Sequence, residues 1–147
     1  MEKTLVLLKP DSIARGLTGK IISRFEERGL TICALKLIKM EIYQAEELYK
    51  PHLGKPFYPP LLKYMTSGPI VAIIICGDKI VDIVRTMMGA TNPVNAAPGS
   101  IRGDFAQRMD FNCIHGSDSP ESAAREIPIF FKPAEILDYK NSAADWV

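Results

Sequence analysis

The residues most able to do chemistry in this sequence lie in the stretch NCIHGSDSPE, residues 112–121, where His115 stands among small polar side chains. A neutral imidazole is a competent nucleophile at pH 7, and its product with phosphorus is a reactive phosphoramidate. Histidine is therefore suited to carrying a phosphoryl group between two partners. Such an attack requires one ring nitrogen to be free and the other to be held by an orienting partner.

The neighbours of His115 include groups that favour this chemistry. Gly116 permits a sharp turn beside the ring, and Ser117 supplies a hydroxyl. Ser119 followed by Pro120 predicts a helix start, and a helix N-terminus offers N–H groups to an anion. Glu126 would lie about two turns into that helix, where it can fold back on the ring. On residue chemistry alone, however, a turn or packing histidine is the commoner occurrence, and both interpretations remain open.

Three cations stand at positions where they can meet phosphate. Lys9 ends the first predicted strand, Arg85 lies on a predicted helix and Arg102 lies in a long irregular segment. A triphosphate needs several fixed cations, and arginine grips phosphate oxygens in a bidentate way. The sequence has no Walker-type phosphate loop. Each cation alone is best explained as a solvated surface charge, and only their convergence would make a phosphate site.

Other residues can serve either a nucleotide or the protein core. Phe57 and Leu61 are four apart on a predicted helix, so they share one face and can sandwich a base or join the core. Tyr49 offers its hydroxyl to phosphate or acts as a half-buried anchor. The segment 89–112 shows no clean periodicity, and a loop of that length is usually functional or disordered. We interpret it as a binding loop that carries Thr91, Arg102 and Asn112; a surface excursion is the rival interpretation.

Hydrophobic periodicity predicts the elements that must position these residues. Strands are predicted at 4–9, 31–41, 69–77 and 111–116, and helices at 17–29, 43–53, 56–68, 78–89 and 119–130. The predicted helices 43–53 and 56–68 form a helical hairpin. Without this hairpin and the tail after residue 130, the order of elements is β-α-β-β-α-β. We therefore expect an α+β fold of the ferredoxin-like kind. Its four-stranded antiparallel sheet would carry helices, an inserted helical hairpin and a long loop at the site.

Composition narrows the class of protein. The chain has 147 residues, 47% of them apolar, and this length and composition predict a single domain spanning 1–147. The formal net charge of +1 gives no global sign of nucleic-acid or membrane binding. No stretch approaches transmembrane length. Cys33 and Cys76 are expected to be buried free thiols and Cys113 a buried inert one, which suits a reducing cytoplasm.

The sequence resembles a known protein family. NCIHGSDSPESAAREI is similar to the active-site signature of nucleoside diphosphate kinases, N-x-x-H-G-S-D. The resemblance extends over essentially the whole chain, through LLKPDSIARGLTGKII, KPFYPPLLKYMTSGPIV, GATNPVNAAPGSIRGDF and DYKNSAADW. Several long motifs in the right order make the match specific.

The resemblance implies a role for each matching residue. His115 would be the phosphorylated nucleophile, attacking through Nδ1, and Ser117 and Glu126 would support it. The phosphates would be held by Lys9, Tyr49, Arg85, Thr91 and Arg102, the ribose hydroxyls by Lys9 and Asn112, and the base by Phe57 and Leu61.

The same resemblance implies phosphoryl transfer from a nucleoside triphosphate, mainly ATP, to nucleoside diphosphates by a ping-pong mechanism with little base specificity, which would maintain nucleotide pools. Mg²⁺ would be held by the substrate phosphates; Pro51 stands where many relatives have an acidic residue, so no protein metal ligand is expected. The resemblance also implies a homo-oligomer, with a hexamer favoured over a tetramer, and no nucleic-acid or membrane partner.

Two other classes of function remain open. One is a phosphohistidine relay to protein partners. The other is an RNA-binding module on a ferredoxin-like sheet, which the near-neutral charge disfavours.

Overall fold

A four-stranded antiparallel sheet organises the structure, a computed structural model that describes residues 1–147. Its strands are β1 (Glu2–Leu8), β2 (Thr31–Lys39), β3 (Pro69–Gly77) and β4 (Ile114–Gly116), in the order β2-β3-β1-β4. The helices are α1 (Pro10–Ala14), α2 (Thr18–Glu27), α3 (Ile42–Leu48), α4 (Tyr58–Met65), α5 (Ile80–Met88), α6 (Ile101–Phe105) and α7 (Pro120–Phe130). The predicted ferredoxin-like α+β class is confirmed. None of the helices is long and apolar enough to cross a membrane.

The two central strands are apolar on both faces because helices cover the sheet on both sides. Side chains alternate along a strand, so Leu5 and Leu7 of β1 point to one face and Val6 and Leu8 to the other. The first face packs against α3, α4 and α7, and the second against α2 and α5. This burial on both faces explains the continuous apolar run 69–77, where the predicted strand and β3 coincide.

Several regions differ from the sequence-based expectation. The strand predicted at 111–116 begins only at Ile114. The hairpin helix predicted at 43–53 ends at Leu48 and continues as a 3-10 turn over Lys50–His52, since Pro51 cannot donate the next helical hydrogen bond. The segment 89–112 contains a 3-10 turn and the short helix α6, which Ser100 caps by accepting a hydrogen bond from Gly103 N. The short helix α1 was not predicted either.

The structure pairs Cys33 with Cys76 in a disulfide, so the expectation that both are free thiols is wrong. Their Cα atoms are 6.2 Å apart on the neighbouring strands β2 and β3. A register shift between Ile32 and Ala34 leaves Cys33 as the extra residue of a β-bulge, whereas Cys76 lies opposite Thr31, two residues before Cys33. Strand register and bulges are invisible in the sequence. Cys113 is the free, buried cysteine.

Gly116 is needed for close packing and not, as the sequence suggested, for a sharp turn. It belongs to β4 and is not among the glycines with positive φ. A Cβ atom added there would collide with the sulfur of Met88 on α5. The Met88 side chain can therefore pack directly over residue 116 only because that residue has no side chain.

We expect Gly116→Ala to lower the free energy of unfolding by about 1 kcal/mol, because an extra methyl group forces the flexible but fully buried Met88 side chain to move. Gly19→Ala is the matched control: it adds a methyl in open space within α2 and should raise stability by about 0.5–1 kcal/mol. Urea denaturation measures both. Unchanged stability of Gly116→Ala would contradict the packing argument.

Candidate active site

His115 lies in the middle of β4, opposite Leu7 of β1, and its side chain is 19% exposed. Its Nε2 lies 2.8 Å from Oε1 of Glu126, and the hydroxyl of Ser117 donates to the same oxygen at 3.2 Å. A carboxylate oxygen accepts hydrogen bonds only. The hydrogen of the neutral ring therefore belongs on Nε2, which leaves the lone pair on Nδ1.

The position of Glu126 follows from how α7 begins and packs. Ser119 caps the helix by accepting a hydrogen bond from Ser122 N at 3.0 Å. Seven residues later Glu126 falls on the buried face of the helix, together with Ala123 and Phe130. A buried carboxylate is costly unless it is hydrogen-bonded, and here it has His115 and Ser117 as partners. Ser117 is held in turn because its hydroxyl accepts a hydrogen bond from Leu5 N at 3.3 Å.

The three cations singled out in the sequence converge on the chain around His115. Lys9 Nζ donates to Asn112 Oδ1 at 2.7 Å, and Arg85 donates to the Gly116 carbonyl at 3.4 Å. Arg102 makes three hydrogen bonds to backbone carbonyls. Its Nε donates to Asn112 at 3.3 Å, its Nη2 to Ile114 at 2.7 Å and its Nη1 to Gly89 at 3.1 Å. All of these partners are neutral.

Burial without carboxylate partners lowers the proton affinity of two of these cations. Desolvation, and then the charge of Arg102, lowers the pKa of Lys9 to about 8. Desolvation, and then the charge of Arg85, lowers the pKa of Arg102 to about 10. The three cations thus repel one another in a partly dry environment, and a bound anion would relieve that repulsion.

Tyr49 adds an unpartnered hydroxyl to this region. Its ring meets the His115 ring edge-on, with centroids 6.2 Å apart, and its hydroxyl is buried without a hydrogen-bond partner. Burial, and then the charge of Glu126, raises the pKa of Tyr49 well above its usual value, so the hydroxyl stays protonated. A buried polar group left unpaired in the free protein is available to a ligand.

The long segment and the hairpin supply the remaining predicted residues. The side-chain amide of Asn112 donates to the Thr91 carbonyl at 2.9 Å, and Thr91 itself is exposed. Phe57 immediately precedes α4 and is 49% exposed, whereas Leu61, one turn later, is partly buried against the core. Pro59 and Pro60 lie in the first turn of α4, where their missing N–H groups leave no helical bond unmade.

One feature near the site was not foreseen. His52, expected to be an ordinary surface residue, packs against the Phe57 ring at 5.2 Å between centroids and lies 3.2 Å from Lys55 Nζ through its Nδ1. Burial, and then the charge of Lys55, lowers the pKa of His52. The contact depends on how the hairpin folds back on itself, and no spacing in the sequence indicates it.

Comparisons with known proteins agree with the resemblance in the sequence. The family model described as nucleoside diphosphate kinase matches residues 2–136. The chain is 50% identical over 147 residues to a nucleoside diphosphate kinase of Carboxydothermus hydrogenoformans, covering 100% of this chain and 99% of that one. It is 54% identical over 140 residues to that of Kosmotoga olearia, covering 95% of each.

Solved structures give the same result. A halophilic nucleoside diphosphate kinase from Halobacterium salinarum, in complex with CDP, superposes with a TM-score of 0.96 at 40% identity over 99% of this chain and 97% of that one. A family protein from Babesia bovis gives 0.95 at 38% identity over 99% of each chain. The chain therefore belongs to the nucleoside diphosphate kinase family, whose function is phosphate transfer between nucleotides.

Proposed function

We propose that this chain transfers the terminal phosphoryl group of a nucleoside triphosphate, mainly ATP, to nucleoside diphosphates through a phosphohistidine at His115. The observation that carries the proposal is the hydrogen bond from Nε2 to Glu126, which leaves Nδ1 unbonded on a chain segment to which three cations are hydrogen-bonded. In the first half-reaction an Nδ1–phosphorus bond forms while the bond to the bridging oxygen breaks, and the diphosphate leaves with that electron pair. A second diphosphate then reverses the step.

The protein would contribute alignment and charge more than covalent chemistry. Phosphoryl transfer spreads negative charge over the equatorial oxygens, and fixed cations stabilise that charge. Tyr49, Arg85, Thr91 and Arg102 would hold the phosphates, and Lys9 would contact both a phosphate and, with Asn112, the ribose 3′-hydroxyl. Mg²⁺ would enter as part of the substrate, bound mainly to nucleotide phosphates and water.

Weak discrimination among bases would follow from the hairpin. Phe57 is half exposed at the start of α4, and Leu61 lies one turn later. Contact with these apolar side chains reads the face of a base and not its hydrogen-bonding edge, so any base is accepted. An enzyme of this kind would equalise the phosphorylation of different nucleosides and maintain nucleotide pools.

We further propose a single nucleoside diphosphate kinase domain over 1–147 that works as a homo-oligomer, with a hexamer favoured over a tetramer. The cytoplasmic location expected from free cysteines loses that support, because Cys33 and Cys76 are paired. The outer strand β2 supports self-association, because Leu35 is 51% and Leu37 67% exposed along it. An edge strand with exposed apolar side chains is a template for pairing with another chain. Sedimentation equilibrium measures the oligomer size, and a monomer at micromolar concentration would contradict this part.

Replacing the nucleophile should abolish the phosphoenzyme. We expect His115→Gln to lose all labelling by γ-³²P ATP, while the wild type gains an acid-labile, base-stable phosphate that passes to dGDP within seconds. His52→Gln removes the only other histidine and should still be labelled. Circular dichroism checks that both variants are folded. Labelling that persists in His115→Gln would end the proposal, and a label that does not pass to dGDP would indicate a relay to another partner.

Nucleotide binding should weaken as the pH rises through the pKa of Lys9, which is about 8. Below that pH Lys9 is charged and attracts the phosphates, and above it the charge is lost. The affinity for ADP should therefore fall by up to about tenfold per pH unit above this pKa, with proton uptake on binding. Calorimetry in buffers of different ionisation enthalpy measures both. Lys9→Gln should bind more weakly and without this slope; the same slope in Lys9→Gln would contradict the assignment.

A further inference from the structure

We propose that Asp11 is a positioning residue that ties helix α4 to the chain segment carrying His115. This inference rests on the proposed function and deepens it, because it concerns the alignment of the nucleotide with the nucleophile. Asp11 lies in α1, near the N-terminal end, and it is distant in sequence from both elements that it joins. Each of its carboxylate oxygens accepts one hydrogen bond, and the two donors come from different parts of the site.

The first donor is a strained backbone. Cys113 has a φ of 73°, in the left-handed region that non-glycine residues rarely adopt. Its N–H donates to Asp11 Oδ2 at 3.2 Å, and its carbonyl accepts from Lys9 N at 2.9 Å and from the Ser12 hydroxyl at 2.7 Å. The first turn of α1 therefore satisfies both backbone groups of Cys113 in a conformation that is unfavourable by itself.

The left-handed turn at Cys113 fixes the position of Asn112 relative to His115. Cys113 separates Asn112, which contacts Lys9 and Thr91, from the strand that carries His115. Arg102 binds the carbonyls on either side of Cys113, those of Asn112 and Ile114. If the turn at Cys113 relaxed, the predicted ribose contact and the nucleophile would move relative to each other.

The second donor connects the base-binding helix. The hydroxyl of Tyr64 on α4 donates to Asp11 Oδ1, and the Tyr64 ring meets the ring of Phe111 edge-on at 5.0 Å between centroids. Leu61 lies three residues before Tyr64 on the same helix. A nucleotide bound at its base by α4 and at its phosphate by His115 spans these two elements, and Asp11 fixes the distance between them.

Asp11 is suited to this role because both of its partners are donors. A carboxylate accepts at both oxygens, and an asparagine could keep both links only by donating its NH₂ to the Tyr64 hydroxyl, which can also accept. Asp11→Ala removes both links. Tyr64→Phe removes the link to α4 alone. Cys113→Gly lets the turn form without help from Asp11, since glycine adopts positive φ at little cost.

Rates measured with ATP and with phosphoramidate as the phosphoryl donor distinguish a positioning role of Asp11 from a general loss of structure. ATP needs its base and its phosphate aligned, whereas phosphoramidate has no base and reports on the nucleophile alone. We expect Tyr64→Phe to lower kcat/KM for ATP by about 10- to 100-fold while labelling of His115 by phosphoramidate stays within about twofold of the wild type. Tyr58→Phe is the matched control on the same helix, because the Tyr58 hydroxyl makes no hydrogen bond in the structure, and it should leave both rates unchanged.

Asp11→Ala should lower both rates, and adding Cys113→Gly to it should restore labelling by phosphoramidate but not the full rate with ATP. Should Asp11→Ala not fold, the comparison of Tyr64→Phe with Tyr58→Phe still decides the matter. Equal losses with both donors in Tyr64→Phe, or no loss with ATP, would overturn the inference. A wild type that neither donor labels at His115 would instead overturn the proposed function, so the two failures are distinguishable.

Discussion

The hydrogen bond between Glu126 and Nε2 of His115 is the interaction on which the rest of the site depends. A carboxylate buried under α7 needs donors, and the imidazole and Ser117 supply them. Because the ring donates a hydrogen bond to this carboxylate through Nε2, it is fixed in one tautomer and one orientation, and Nδ1 is unbonded. Without this contact neither the tautomer nor the orientation of the ring would be fixed, and the phosphoryl transfer proposed for His115 requires both.

The cations are held in a way that keeps their charge available. Lys9, Arg85 and Arg102 are all anchored by amide or backbone oxygens, and none forms an ion pair. A carboxylate partner would have positioned them equally well, but it would have cancelled the charge that phosphate needs. Burial, and then the charge of a neighbouring arginine, lowers the pKa values of Lys9 and Arg102, and such shifts are typical of functional sites.

The sequence predicted those parts of the fold that depend on local pattern. The apolar run of β3 and the Ser119-Pro120 start of α7 lie where expected, because burial on both faces and helix capping are readable from neighbouring residues. Residue chemistry alone favoured a turn or packing role for His115 and a solvated surface position for Lys9 and Arg102. Their convergence depends on the pairing of β4 with β1, which no local pattern reveals, and only the family resemblance pointed to it.

What the sequence missed depends on contacts between distant residues. The pairing of Cys33 with Cys76 depends on the register of β2 against β3, and the proposed roles of Asp11 and Tyr64 depend on the left-handed turn at Cys113. No spacing along the chain reveals either one. The short helices α1 and α6 escaped prediction because five residues are too few for a hydrophobic period to show.

The most direct test of this account is ¹⁵N NMR of the chain labelled at histidine, with His52→Gln to assign the two rings. In the resting protein the His115 ring should carry its hydrogen on Nε2, and after reaction with ATP the coupling to phosphorus should appear at Nδ1. A hydrogen on Nδ1 in the resting protein, or phosphorus on Nε2 after the reaction, would contradict the claim that Glu126 selects the reactive nitrogen.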